Sequence, residues 1–318
     1  MLVHDYHLAL TGQALSKLRP DVDVVHFHHT PFTNAFGIRM LPETIASDLM
    51  EAMTHYRACG FHSYRWARAF ESACTEVIGA ERVPATYVAP AATDLDDLLR
   101  VAGSTEARLA ADALAGDVGD CQVIVRVDRI EPSKNILRGF HAFDLLLEEQ
   151  PEWRERVVFA AFIYPSRDNL PDYQAYAAES RALVDYVNAK WATATWKPAL
   201  LDTVDDFVRS VAALQRADVL LVNPVRDGLN LVAKEGVTVN ERDCVLVLSR
   251  EAGVYDELGP AALGINPFDV AATADALGRA LSMKLDERQA RMAALREATR
   301  RRRPADWLED QLRAARGD

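Results

Sequence analysis

The stretch Asn223-Pro-Val-Arg-Asp-Gly-Leu-Asn-Leu-Val-Ala-Lys-Glu235 decides how this chain is read. It follows Val219-Leu-Leu-Val222, a short apolar run that reads as a buried strand. It turns through Asp227-Gly228 and enters Leu229–Asn240, which reads as a helix. A strand, a glycine turn and a helix start bring unpaired backbone N–H groups and a positive dipole end to one point. That geometry suits a phosphate or diphosphate. Asp227 and Glu235 lie on either side of the point, where carboxylates can accept from hydroxyls of a sugar or ribose. Strand–glycine–helix turns occur throughout α/β proteins, so the specificity has to come from the rest of the chain.

Outward from that stretch, short apolar runs alternate with helical patterns. Strands are expected at Met1–Val3, Val24–His28, Thr86–Val88, Val123–Val127, Val157–Ile163, Val219–Val222, Val245–Leu248 and Leu263–Ile265. Helices are expected at Gly12–Lys17, Glu43–Met53, Tyr64–Val77, Ile136–Glu149, Tyr173–Ala189, Val208–Gln215 and Val270–Ser282. Such alternation predicts parallel sheets with helices on both faces. The break falls in Ala89–Val118, where Pro90 and a cluster of Asp and Ala interrupt the pattern. Two doubly wound lobes with a cleft between them follow, with ligands expected at the carboxyl ends of strands. The boundaries are drawn at 1–116, 117–282 and a helical tail at 283–318. The first lobe opens almost inside a strand and holds about three strands, so it reads as N-terminally incomplete or as a degenerate copy. From Asp286 the tail is charged and helical, with Trp307 and Leu308 as its docking residues. Its basic run Arg300–Arg303 reads as a solvated helix face, with anion binding as the other reading.

The composition bounds the function. The chain has 318 residues, enough for two domains, with 49% apolar and 26% charged residues, as in soluble globular proteins. A net charge of −11 argues against broad attraction to nucleic acid or to an anionic membrane. An anionic substrate therefore needs a local cluster of arginine and lysine. Cys59, Cys74, Cys121 and Cys244 show neither metal nor disulfide spacing and read as free thiols in a reducing compartment. No apolar run approaches about eighteen residues and no signal peptide opens the chain. A cytoplasmic protein is expected, and self-association into a homo-oligomer stays open.

Five strings carry chemistry. In His4-Asp-Tyr-His-Leu8, Asp5 can accept from a sugar hydroxyl or can simply cap the following helix. In His26-Phe-His-His-Thr-Pro-Phe32, the period of two puts His26 and His28 on one strand face and His29 on the other. Clustered histidines raise zinc, but no further ligand sits at suitable spacing. His29 is the one placed to project as a donor, and His26 and His28 are expected to pack in the sheet. Arg126-Val-Asp-Arg-Ile-Glu-Pro-Ser-Lys-Asn135 puts Arg129 and Lys134 on a loop opening a helix. Together they can neutralise a diphosphate without a metal ion, or Arg129 can pair with Asp128 or Glu131. Arg167, in Tyr164-Pro-Ser-Arg167, can clamp a second phosphate or form a structural ion pair. The fifth string is the Asp227–Glu235 loop, followed by Leu248-Ser-Arg-Glu-Ala-Gly253, where Gly253 permits a turn or close approach. Four of the five lie at strand carboxyl ends and one starts there, so they are expected to share a site.

Taken in order, Asp5-Tyr-His-Leu8, His29-Thr-Pro-Phe32, Gly60-Phe-His62, Arg129 to Lys134, Pro165-Ser-Arg167, Arg226-Asp-Gly-Leu-Asn-Leu-Val-Ala-Lys-Glu235 and Ala252-Gly253 resemble the trehalose-6-phosphate synthase family of retaining glycosyltransferases. The resemblance implies an α/β fold of two Rossmann-like lobes (GT-B), with the nucleotide-sugar on the second. It implies transfer of glucose from UDP-glucose or GDP-glucose to glucose 6-phosphate, giving trehalose 6-phosphate without metal or other cofactor. By position it gives Arg129 and Lys134 to the donor diphosphate. It gives Asp227 and the amides of Gly228, Leu229, Asn230, Leu231 and Val232 to the donor sugar and phosphate, and Glu235 to the ribose. His29 would lie near the reacting carbon, Asp5 would face the acceptor and Arg167 would hold the acceptor phosphate. No enzyme nucleophile is implied. Support of the departing diphosphate is then the largest catalytic effect, roughly 3–4 kcal/mol for one key donor.

The chain also departs from that family. The long segment that usually precedes the Asp-Tyr-His-Leu string is not in it. Asn135 stands where Gly is usual, Glu131-Pro132 replaces Asp-Tyr, Asp205-Asp-Phe-Val208 lacks a basic residue, and Ser249-Arg-Glu-Ala-Gly253 differs from Ser-x-Phe-Ala-Gly. These departures leave two other readings: a relative using another phosphorylated acceptor, of glucosylglycerol-phosphate or cyclitol type, or a non-catalytic nucleotide-binding or regulatory homologue.

Overall fold

The alternation becomes two all-parallel sheets, one of four strands and one of six. The computed structural model describes residues 1–167 and 169–317. Contacts divide it into a first unit, Met1–Ala92 with Asp227–Asn230 and Arg302–Asp318, and a second, Thr93–Arg226 with Leu231–Arg301.

In the first unit β1 (Leu2–His4), β2 (Val25–His28), β3 (Ala58–Phe61) and β4 (Ala85–Val88) lie side by side in chain order. They alternate with α1 (Thr11–Leu18), α2 (Ala35–Ile38), α3 (Glu43–Met53) and α4 (Tyr64–Ile78). Met50, Phe61, Trp66 and Phe70 fill the core beneath the sheet. β3 was not expected. Its sequence, Ala-Cys-Gly-Phe, has no β-branched residue, because Gly60 has to leave room for rings: a Cβ there would lie 2.3 Å from Tyr87 and 2.6 Å from Phe27. His26 and His28 are buried in β2, as expected, with His26 Nε2 and His28 Nδ1 3.3 Å apart and His28 Nε2 3.0 Å from Thr30 Oγ1. Burial pushes the first down to about 3 and the second to about 4, so both rings are neutral at ordinary pH.

The second unit runs α5 (Leu95–Ala102), α6 (Thr105–Val118), β5 (Gln122–Arg129), α7 (Ile136–Glu149), β6 (Val157–Tyr164), α8 (Pro171–Trp191), β7 (Ala199–Asp202) and α9 (Phe207–Arg216). It continues with β8 (Val219–Val222), α10 (Leu231–Val239), β9 (Val245–Ser249), α11 (Tyr255–Leu258), β10 (Leu263–Ile265), α12 (Val270–Leu281) and α13 (Leu285–Arg300). The strand order is β10-β9-β8-β5-β6-β7. The chain leaves β5 toward β6 and β7, then returns to β8 on the opposite side of β5. The order therefore reverses at the carboxyl ends of β5 and β8, the place where open α/β sheets bind ligands. The edge strand β7, a run of four residues following a proline, carries little periodic signal in the sequence.

The expected break at Ala89–Val118 holds two helices. Asp94 caps α5 by accepting from Asp97 N at 3.1 Å, and Ser104 caps α6 by accepting from Ala107 N at 3.1 Å. Both pack on α9, where Gln215 Nε2 donates to Ala102 O, so contacts part at Ala92–Thr93 rather than at 116/117. The tail is two helices, α13 and α14 (Pro304–Arg316). Trp307 docks in the first unit, and Arg57 Nη2 donates to Arg316 O at 3.1 Å. Leu308, expected to dock with it, is 46% exposed, because α14 turns only its Trp307–Gln311 side inward. Of the basic run, Arg300 ends α13 and Arg301–Arg303 form the turn before α14 rather than a helix face. Arg301 and Arg303 are exposed and paired to Glu297 and Asp306, and Arg302 is half-buried and paired to Asp310. The four cysteines are free thiols, and no helix among the described residues is long and apolar enough to cross a membrane.

Candidate functional site

In the second unit a fully buried arginine builds the loop after β5. Arg126, 0% exposed, pairs with Asp128 at 2.7 Å and donates to Lys134 O at 2.8 Å. A charge in that position is tolerable only because a carboxylate and a carbonyl meet it. The backbone around Lys134, a 3-10 turn over Pro132–Lys134, is thereby fixed. Asn135 follows in the left-handed region (φ 61°, ψ 41°). Asparagine is the non-glycine residue that visits this region at least cost, so the departure from Gly is conformationally mild. Its side chain adds something glycine lacks. Nδ2 donates to Asn223 O at 2.9 Å and Pro267 O at 2.8 Å, tying together the loops after β5, β8 and β10. Val225 N also donates to Ser133 O at 2.9 Å. The Lys134 turn and the segment leading to Asp227 therefore meet at the switch point.

Arg129 is 46% exposed and lies 3.4 Å from Glu131, so the expected alternative pairing is present, with Glu131 rather than Asp128. Arg129 aligns with Tyr164 across β5 and β6. Burial raises the Tyr164 hydroxyl, with the charges of Arg129 and Lys134 opposing it and those of Asp205 and Asp128 adding to it. Arg167, three residues further on, has φ 52° and donates to the Tyr173 hydroxyl at 2.9 Å. The start of α7 is less open than expected. Tyr176, a residue with no sequence signal for this role, accepts from Ile136 N at 2.8 Å and occupies that amide.

α10 begins at Leu231, not Leu229. Asn230, at φ 82°, holds the preceding residue out of the helix, and Asn230 Nδ2 donates to Asp227 Oδ2 at 3.1 Å. Leu229 and Asn230 are buried, Leu231 is exposed and Val232 is half-buried. Glu235, half-buried on the second turn, has no hydrogen bond or ion pair among the described residues, and burial raises its carboxyl. Its neighbour Lys234 is structural, buried and 2.7 Å from Glu257 of α11.

In the first unit Gly228 packs against the end of β2. A Cβ on Gly228 would lie 1.7 Å from the His29 carbonyl oxygen, and Trp66 Nε1 donates to Gly228 O at 3.0 Å. Asp5 is not a helix cap. Its side chain makes no cap bond and instead accepts from His29 N at 3.3 Å. It sits at φ 65°, ψ 167°, a region nearly restricted to glycine, costing about 1–3 kcal/mol. Releasing that strain offsets most of what Asp5→Gly loses, whereas Asp5→Ala keeps the strain and loses the same bond. The glycine variant should melt above the alanine variant in thermal denaturation. The reverse order would show that the backbone there is relaxed.

His29 does not simply project as a donor. Its Nε2 lies 3.1 Å from His4 Nδ1 and its Nδ1 3.2 Å from His62 Nε2. Burial first, then His4, lowers its pKa, with Asp5 opposing. Trp307 lies against His4 and His29, with ring centroids 5.6 and 5.8 Å apart. Among the described residues no three His, Cys, Asp or Glu side chains are grouped to hold a metal ion.

The model of "Glycosyltransferase family 20" matches residues 1–316. The chain belongs to glycosyltransferase family 20. Among this family, Arabidopsis thaliana alpha,alpha-trehalose-phosphate synthase [UDP-forming] 1 is 34% identical over 300 residues, covering 91% of the chain and 32% of that protein. The chain spans between 32% and 44% of the length of the first curated relatives it matches. A Burkholderia xenovorans alpha,alpha-trehalose-phosphate synthase (UDP-forming) in complex with glucose-6-phosphate superposes with TM-score 0.91 at 29% identity, over 99% of this chain and 73% of that one. An E. coli family member bound with UDP-2-fluoro glucose gives TM-score 0.91 at 28% identity, over 99% and 72%. The two helix-flanked parallel sheets of this family 20 chain are those of the GT-B glycosyltransferases.

Proposed function

We propose that this chain is a retaining glucosyltransferase that moves glucose from UDP-glucose to glucose 6-phosphate, releasing UDP and forming trehalose 6-phosphate. The observation that carries this reading is the meeting of the Lys134 turn and the Asn223–Arg226 segment at the switch point, with the Glu235 carboxylate, unpartnered among the described residues, on the second turn of α10. An unpaired half-buried carboxylate suits a pair of ribose hydroxyls, which would lower its raised pKa on binding. The "UDP-forming" names of the relatives favour uridine over guanosine.

Arg129 and Lys134 meet the diphosphate, helped by the amides at the start of α10, and Asp227 takes hydroxyls of the donor glucose. Asp5 takes an acceptor hydroxyl. Arg167, which donates to the Tyr173 hydroxyl, clamps the acceptor phosphate through its bidentate fork. As the bond from C1 to the diphosphate oxygen breaks, the acceptor oxygen bonds to C1 on the same face, and its proton passes to the leaving diphosphate. Asn135 fits its left-handed position, so that departure gives no reason to change the acceptor.

The test is incubation of the chain with UDP-glucose and glucose 6-phosphate, reading UDP and trehalose 6-phosphate by mass. Both products are expected, in equal amounts. Turnover with glycerol 3-phosphate alone, or UDP-glucose binding without turnover on any acceptor, would overturn the reading.

A further inference from the structure

Three histidines from three separate strand ends, His4, His29 and His62, form one continuous hydrogen-bonded row in the first unit. Its direction is set by a group with no ambiguity. Ala91 N–H, 3.3 Å from His62 Nδ1, can only donate. His62 Nδ1 therefore carries no proton, and its one proton is on Nε2. That proton points at His29 Nδ1, which must accept, so the His29 proton is on Nε2 and points at His4 Nδ1. His4 is left with its proton on Nε2. Each ring determines the next, and the chain of dipoles is mutually polarising.

We propose that His62 is a positioning residue which, anchored on the Ala91 amide, holds His29 as a neutral ring protonated on Nε2 and so keeps positive charge away from the reacting sugar. The placement of His29 near the reacting carbon rests on the function proposed above; the direction of the row does not. The chemistry gives this a purpose. An imidazolium beside a sugar carbon that is becoming oxocarbenium-like would repel it, whereas a neutral ring with both nitrogens occupied adds no such charge. The bond from His29 N to Asp5 Oδ1 fixes the backbone of the same residue, so ring and main chain are held separately. Burial of His29 and the tilted Trp307 ring beside it limit the water that could compete for the ring nitrogens.

The experiment is nitrogen-15 histidine NMR on the whole chain at neutral pH, with His29 assigned by its absence in His29→Asn. The expected spectrum shows His29 with a protonated Nε2 and a bare Nδ1. His62→Leu should turn this into a tautomer mixture and lower kcat roughly tenfold, the size of one orienting hydrogen bond, with KM for UDP-glucose nearly unchanged. His62→Gln carries an acceptor and a donor and should restore both readouts. A His29 protonated on Nδ1, or on both nitrogens, overturns the proposal, as does a His62→Leu enzyme with the wild-type spectrum and kcat. If His62→Leu fails to fold, the wild-type spectrum alone still decides the direction. If the wild type turns nothing over, the proposed function falls while the tautomer result stands on its own.

Discussion

Lys134→Ala is expected to cut turnover of UDP-glucose by about 10²–10³-fold, with the loss in kcat rather than in acceptor KM. The size follows from how little else is available at that point. The amide of Ile136 at the start of α7 already donates to Tyr176 and cannot take over the role. The Lys134 backbone is fixed through Arg126, so its ammonium cannot be replaced by a shift of the turn. Arg129→Ala should lose somewhat less. In the resting protein Arg129 is half-exposed and 3.4 Å from Glu131, a pair worth about 0–1 kcal/mol that a diphosphate can displace. Removing Arg129 also frees Glu131, whose charge would then face the substrate, and Arg129→Ala with Glu131→Gln should recover part of the rate. Arg167→Ala should act chiefly on KM for glucose 6-phosphate. Initial rates with each substrate varied separately check all of this. Equal and small losses from Lys134→Ala, Arg129→Ala and Arg167→Ala would dismiss the assigned roles.

Alternation of apolar runs and helical patterns was enough to read the class of fold and most of the strands, because buried parallel strands such as Val219–Val222 are near-continuous Val and Leu. What it hid were elements whose sequence answers to a neighbour rather than to their own period. β3 is written in small residues because Gly60 accommodates the rings of Tyr87 and Phe27. α5 and α6 looked like a break because their Asp and Ser are caps rather than linkers. The site divides in the same way. Of the proposed site, Arg129, Lys134 and Glu235 can be read from the sequence, since each stands where a strand end or helix start limits its position. Trp66, Tyr176, Asn135 and His62 cannot, since their partners are 162, 40, 88 and 29 residues away along the chain. The motif Gly60-Phe-His62 was visible as a resemblance, but only the row of rings gives its histidine a task.

Gly228→Ala is expected to be the most damaging single-methyl change in the chain. The added Cβ would sit 1.7 Å from the His29 carbonyl oxygen, 2.8 Å from its carbon and 3.3 Å from Thr30 Cα. All three neighbours are backbone, so no rotamer change relieves the overlap; either the end of β2 or the Asp227–Asn230 loop has to move. Moving the loop breaks the Trp66 bond to Gly228 O and disturbs the Asn230–Asp227 bond beside it. With one buried bond lost and residual crowding left, the expected destabilisation is about 2–4 kcal/mol. Asp227 and the start of α10 shift with the loop, so binding of UDP should weaken by at least the order of a hundredfold, the cost of misplacing a preorganised group. Gly116→Ala is the matched comparison. It lies in α6 with nothing within 4 Å of its Cβ position, and should stabilise the chain by about 0.5–1 kcal/mol through helix propensity. Thermal melts and UDP calorimetry on the two variants read both effects. A Gly228→Ala chain that melts with the wild type and binds UDP as tightly would mean that this loop does not press on His29 in solution.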